Sequence, residues 1–207
     1  MHNRRRMLIA NSQQGGGGDL PQGYTQLEYL QSTGTQYIDT GIEANTRYKW
    51  HTDLEFLSAT EEWSAIGGSI LENNVPYYLS AVNVWEKQNS YCRATGWSAW
   101  TDTGINYRNI RTVDYDGQNG ILTINNTSFN FTATDKDFGQ HIWLFTYRNN
   151  NTFQSPAVRI SATSIYDGNV CLGNYIPCLD TNNVPCMYDT VSRTPFYNLG
   201  TGEFLYG

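Results

Sequence analysis

The feature that most constrains this chain is a clean period of two along residues 46–57. Tyr48, Trp50, Thr52, Leu54 and Phe56 alternate there with Arg47, Lys49, His51, Asp53 and Glu55. Successive strand side chains point to opposite faces, so this spacing predicts a strand with one buried and one solvated face. Strand-like segments recur roughly 10 to 15 residues apart, with turn residues between them. They cover 36–42, 63–70, 76–84, 90–94, 106–115, 121–125, 128–132 and 157–166. In 157–166, Val158, Ile160, Ala162 and Ser164 alternate against Arg159, Ser161, Thr163 and Ile165. Residues 141–147, His-Ile-Trp-Leu-Phe-Thr-Tyr, predict a central strand buried on both sides. Asp116-Gly117-Gln118-Asn119-Gly120 is a hairpin turn signal. No long helical period or solenoid-length repeat interrupts the pattern, which predicts an all-β, antiparallel two-sheet jelly-roll sandwich.

Composition agrees with strands. Aromatic residues form 14% of the chain, with 15 Tyr, 6 Trp and 8 Phe, types that fit a pleated, half-buried surface. Charged residues are 15%, so Asn, Thr, Ser, Gln and Tyr must supply the polar surface. Such a surface suits hydrogen bonding to neutral partners such as sugars, and equally suits an ordinary β-protein.

Residues 1–22 form a separate unit: a basic head with Arg4, Arg5 and Arg6, then a polar stretch, then Gly15 to Gly18. Consecutive glycines make a flexible leader. The apolar run Met7-Leu8-Ile9-Ala10 is shorter than the roughly 7 to 15 residues of a signal peptide. No stretch approaches the roughly 20 apolar residues of a membrane span. The expectation is a soluble protein made in the cytoplasm, with residues 23–207 as one domain. Net charge is −6, and setting aside the +3 of the three arginines leaves −9 on residues 7–207. An acidic body argues against nucleic-acid binding, which needs a basic stripe. Cys92, Cys171, Cys178 and Cys186 lack zinc-site spacing and admit three disulfide pairings. Without an export signal, free and largely buried thiols are expected.

Chemistry-bearing motifs are sparse. His2, His51 and His141 are the only histidines, and no G-x-S-x-G elbow occurs. The nearest approach to a retaining glycanase strand, E-x-D-x-x-E, is His51-Thr52-Asp53-Leu54-Glu55-Phe56, which lacks both flanking glutamates. No catalytic residue is assigned. Asp114 with Asp116, or Asp135 with Asp137, are turn carboxylates that could ligate Ca²⁺, though paired aspartates are also ordinary turn chemistry. No cofactor is expected. Aromatic residues crowd 77–107, and the segment 93–104 has loop composition yet carries two tryptophans. Loops carry function, so Tyr77, Trp85, Tyr91, Trp97 and Trp100 are the candidate ligand-binding residues.

A family resemblance enters at the two ends of the domain. Leu20-Pro21-Gln22-Gly23-Tyr24-Thr25-Gln26-Leu27-Glu28-Tyr29-Leu30-Gln31-Ser32-Thr33-Gly34-Thr35-Gln36-Tyr37-Ile38-Asp39-Thr40-Gly41 resembles the opening of a family of gut-bacterial phage and prophage proteins with a concanavalin A-like, laminin-G-like domain. Ile176-Pro177-Cys178, Met187-Tyr188-Asp189 and Phe196-Tyr197-Asn198-Leu199-Gly200-Thr201-Gly202-Glu203-Phe204 resemble its closing segment. The family often has a charged pair before its Ile-Pro segment, where this chain has Cys171-Leu172-Gly173-Asn174-Tyr175. The resemblance implies a virion-associated decoration, fibre or adhesion protein. Residues 1–22, with Arg4, Arg5 and Arg6, would anchor it to other virion proteins. It would be a homo-oligomer, without membrane or nucleic-acid partner, and could bind host or mucosal glycans. The alternative is a glycan-active enzyme or a free lectin.

Overall fold

The computed structural model describes residues 20–58, 64–65, 67–73, 75–84, 89–94, 101–149, 152–154 and 157–207, with side chains for 20–58, 103–146 and 157–207. The chain is all-β: two sheets of antiparallel strands enclose the main core, with no α-helix among the described residues. In the first sheet the order is Thr127–Asn130, Ile121–Ile124, Thr112–Asp116, Lys49–Ser58, Ala157–Asp167, Val170–Leu179, Pro185–Asp189, Thr194–Phe196. The second runs Thr152–Gln154, Tyr147–Asn149, Gly67–Asn73, Val75–Val84, Asn89–Ala94, Thr101–Asn106, with Asp137–Leu144 joining Gly67–Asn73 to Ile38–Asn45. Among the described residues a single parallel contact, Arg148 opposite Ser69, interrupts the antiparallel pairing.

The alternation read from 46–57 is the axis of the first sheet. Trp50, Thr52, Leu54 and Phe56 are buried, while Lys49, His51, Asp53 and Glu55 are half-exposed. Across the core stand Ile38, Ala44, Phe138, Ile142 and Leu144 of the second sheet. Burying each large apolar side chain stabilises the fold by about 1.5–3 kcal/mol. The burial expected of 141–147 holds for Ile142, Trp143, Leu144, Phe145 and Thr146, but the strand ends at Leu144, because the backbone turns at Phe145 with φ +69°, and Tyr147 opens another strand. The Asp116 hairpin forms as expected, with Asp116 opposite Ile121. Gly117 is required there, because a Cβ would run into the Thr46 carbonyl oxygen.

Three expectations need correction. The alternation of 157–166 reverses part-way: Val158 and Ile160 are buried, then Thr163 and Ile165, not Ala162 and Ser164. A β-bulge explains this, since Ile160 pairs with Leu54 and Ala162 with Asp53, leaving Ser161 as the extra residue. Below the bulge this strand borders Leu30–Thr33, and above it Val170–Leu179. The bulge lets one strand serve two successive neighbours while keeping its apolar side chains inward. Residues 106–115 are not one strand. Asn106 caps a 3-10 turn, Tyr107–Asn109, by accepting from the Arg108 N–H, and the strand starts only at Thr112. Nor is 93–104 wholly loop, because Arg93 and Ala94 end one strand and Thr101–Asn106 is another. Its β-branched threonines alternate as strands require.

Deleting Ser161 should leave a folded protein, losing about 2 kcal/mol or less, because regular alternation then still buries Ile160, Thr163 and Ile165. Deleting Ser164 turns Ile165 outward and should cost about 4 kcal/mol or more. Urea unfolding of both deletions checks this, and equal losses would refute the bulge's role.

Candidate functional site

Two segments from opposite ends of the sequence are zipped together. After the Leu30–Thr33 strand, Gln36 Oε1 accepts from the Thr33 N–H at 2.8 Å and Ser32 Oγ from the Gly34 N–H at 3.0 Å. The closing segment docks on this turn. The Leu199 N–H donates to the Tyr37 carbonyl at 2.9 Å, and the Thr201 N–H to the Thr35 carbonyl at 3.2 Å. Asn198 Oδ1 accepts from the Tyr37 and Gly200 N–H groups at 3.2 and 2.8 Å, while its Nδ2 donates to the Gly202 carbonyl at 2.8 Å. Position 200 must be glycine, since a Cβ would run into the Thr35 carbonyl oxygen.

Beside this zipper lies a cleft of about 400 Å³, lined in part by Asn183, Val184, Tyr197, Asn198, Glu203 and Tyr206. Asn183 and Val184 come from the turn between Val170–Leu179 and Pro185–Asp189. Asp180 ties that turn: its Oδ1 accepts from the Asn182 and Val184 N–H groups, both at 2.8 Å. These backbone donors, Val184 first, outweigh desolvation and hold the Asp180 carboxyl below the usual carboxylate range. Tyr197 Oη donates to Asp180 Oδ2 at 2.9 Å. Desolvation, then this bond to a carboxylate, raises the Tyr197 pKa above the ordinary phenol value. Tyr197 is thereby fixed in position yet 39% exposed as a residue, and Tyr206 is 48% exposed. A second hollow of about 340 Å³ shares Gly200 with the cleft and is lined by Tyr37 and Leu199. Tyr37 is backed by Trp143, stacked at 4.6 Å. Aromatic faces, amides and one carboxylate, Glu203, therefore converge on one pre-formed surface.

The outer face of the first sheet carries a different chemistry. His51 lies between two carboxylates, with Nδ1 2.6 Å from Asp114 Oδ1 and Nε2 3.3 Å from Asp53 Oδ1. Desolvation lowers its pKa, but the hydrogen bond and charge of Asp114, with Asp53, outweigh it and leave the imidazole pKa raised. Glu55 faces Arg159 at 3.0 Å and Arg111 at 3.5 Å. Asp53 and Glu55 are thus each engaged by cationic or histidine partners. Asp116 pairs with Lys49 at 3.2 Å. Asp135 and Asp137 accept from Asn45 at 2.9 and 2.6 Å, and Asp135 also pairs with Arg47 at 3.2 Å. Among the described residues no group of three His, Cys, Asp or Glu is arranged to hold a metal.

Of the aromatic candidates named from sequence, the backbone of Tyr77 and Tyr91 is described. Tyr77 stands opposite Leu71, and Tyr91 opposite Asn83 and Asp102, in neighbouring strands of the second sheet. Their side chains, together with Trp85, Trp97, Trp100 and the anchor candidates Arg4, Arg5 and Arg6, lie outside the described residues. Sequence reasoning missed Tyr197, Asn198, Glu203 and Tyr206 as site residues. The available signal was the run Tyr197-Asn198-Leu199-Gly200-Thr201-Gly202-Glu203, where an aromatic ring, an amide and glycines share a turn.

No family model matches the chain, and no curated protein matches it. Among solved structures, a mutant of Trypanosoma rangeli sialidase displaying trans-sialidase activity is similar at 9% identity and a TM-score of 0.44. That likeness covers 57% of this chain and 20% of the sialidase chain. The functional reading therefore rests on this chain's own residues.

Because the folded-state pKa of His51 is raised, its contribution is complete below the ordinary histidine value of 6.5 and is lost as pH rises through the raised value. The melting-temperature advantage of wild type over His51→Gln should shrink between about pH 6 and about pH 8. Thermal melts across that range check the sign, and a growing advantage would contradict it.

Proposed function

We propose that this domain is a non-catalytic carbohydrate-binding sandwich of a phage or prophage particle, acting in decoration, fibre or adhesion and anchored through its N-terminal leader. One observation carries the binding half of this reading: the exposed residues Tyr197 and Tyr206 line one cleft with Asn183, Asn198 and Glu203. Sugar C–H faces stack on such rings, and side-chain amides and a carboxylate hydrogen-bond hydroxyls. The particle half rests on the resemblance of residues 20–41 and 176–204, whose end segments build the zipper beside the cleft.

A glycan-active enzyme is the second reading. Retaining or inverting hydrolysis needs two carboxyl groups facing one glycosidic bond. The described lining of the cleft has a single carboxylate, Glu203, which favours binding over cleavage.

A glycan array followed by titration calorimetry tests the binding half. Tyr206→Ala, or Tyr197→Ala, should weaken binding about tenfold, the loss of roughly one ring's interaction energy, with an unchanged circular dichroism spectrum. Full affinity in both variants would overturn the site, and release of reducing sugar would favour the enzyme. Removing residues 1–19 keeps Leu20, which packs beside Tyr188, and should leave the domain folded but absent from purified particles. Normal incorporation of the truncated chain would refute the anchor.

A further inference from the structure

Cys178 and Cys186 face each other directly across the Val170–Leu179 and Pro185–Asp189 strands. Their sulfurs are 3.4 Å apart, and both residues are fully buried. Opposed residues of an antiparallel pair have Cα atoms about 4.5–5.5 Å apart, inside the range of about 4.4–6.8 Å that a disulfide spans. Cys171, the other cysteine with a described side chain, is half-buried and bonded to the Gly173 carbonyl instead. We propose that Cys178 and Cys186 are a cross-strand redox pair, converted by a small-molecule disulfide into a bond that staples this hairpin.

The exchange balances without any other reagent. Cys178 sulfur attacks one sulfur of the oxidant RSSR. The oxidant's S–S bond breaks, and one RSH leaves with the Cys178 proton. Cys186 sulfur then attacks the Cys178 sulfur of the mixed disulfide and releases the second RSH with its own proton. Two thiols are oxidised by two electrons while RSSR is reduced to two RSH. Either thiol can donate to the other across 3.4 Å, and the same balance holds with the two roles exchanged. Leu20 and Tyr24 pack over the pair, and the Thr25–Gln26 strand pairs with Leu179 and Cys178. An oxidant reaches the sulfurs only when that cover lifts, so the reaction in the folded protein is gated by local opening.

This inference stands on the hairpin geometry and not on the sugar reading, although the stapled turn supplies Asn183 and Val184 to the cleft. The test incubates the full chain with oxidised glutathione, alkylates remaining thiols and maps peptides by mass spectrometry without reduction. The expected result is a link between the Cys178 and Cys186 peptides, reversed by dithiothreitol. The melting temperature of the oxidised form should rise by about 5 °C, the effect of closing a short loop in a chain of this size. Cys178→Ser and Cys186→Ser should each abolish both changes, and Tyr24→Ala should accelerate the linkage about tenfold if the cover gates it. Refolding the reduced chain in a glutathione redox buffer removes the access barrier. Absence of the 178–186 link there, or a lowered melting temperature in the linked form, would overturn the proposal.

Discussion

The structure depends on the pairing of Lys49–Ser58 with Ala157–Asp167. These strands lie side by side at the centre of the first sheet, and each presents an apolar row to the same core. Because a one-residue slip would turn such a row to solvent, the register is fixed by burial on both strands at once. The Ser161 bulge is part of that constraint. Above and below it the strand meets different neighbours, and one extra residue allows both pairings without exposing Thr163 or Ile165. Leu30–Thr33 and Val170–Leu179, whose following turns border the cleft, both pair with this strand.

The solvated face of the same strands has its own order. Asp114 stands opposite His51, His51 opposite Ser164 and Ser164 opposite Asn174, so one polar row crosses four strands. An Asp, a His and a Ser in a row invite comparison with a hydrolytic triad. The geometry points elsewhere: the second imidazole nitrogen lies near Asp53, its own strand neighbour two residues on. Two carboxylates around one imidazole favour the charged ring, which is the reverse of what a general base near neutral pH requires. The row is best understood as charge balance on a surface whose overall balance is acidic.

What sequence disclosed and what it withheld follow from range. The Lys49–Ser58 strand is local: its alternation is complete within ten residues, so it could be read directly. The Asp116–Gly120 turn is also local, because its residues set their own backbone. The bulge at Ser161 is not local. It exists only relative to Asp53 and Leu54 on another strand, and simple alternation therefore assigned the wrong face to half of its strand. The strands Val170–Leu179 and Pro185–Asp189 were hidden for a related reason. Gly173, Pro177 and the cysteines blur the period, and their burial comes from Tyr24, Phe196 and the opposite sheet. The cleft is the extreme case, because Asn198 is poised by a Tyr37 amide 161 positions away.

That long reach couples the two end segments of the domain. The fold brings parts of the segments 20–41 and 176–204 into contact. Thr35 and Gln36 both donate to the Thr201 carbonyl, and Gly200 and Gly202 lie against the same turn. Residues that must fit one another cannot vary independently. A Cβ at Gly200 meets the Thr35 backbone, so substitution there must displace the opening turn as well as the closing loop. The closing loop also carries Tyr197, Glu203 and Tyr206 to the cleft. The same contacts that join the opening turn to the closing loop therefore hold the aromatic and polar groups of the cleft in position.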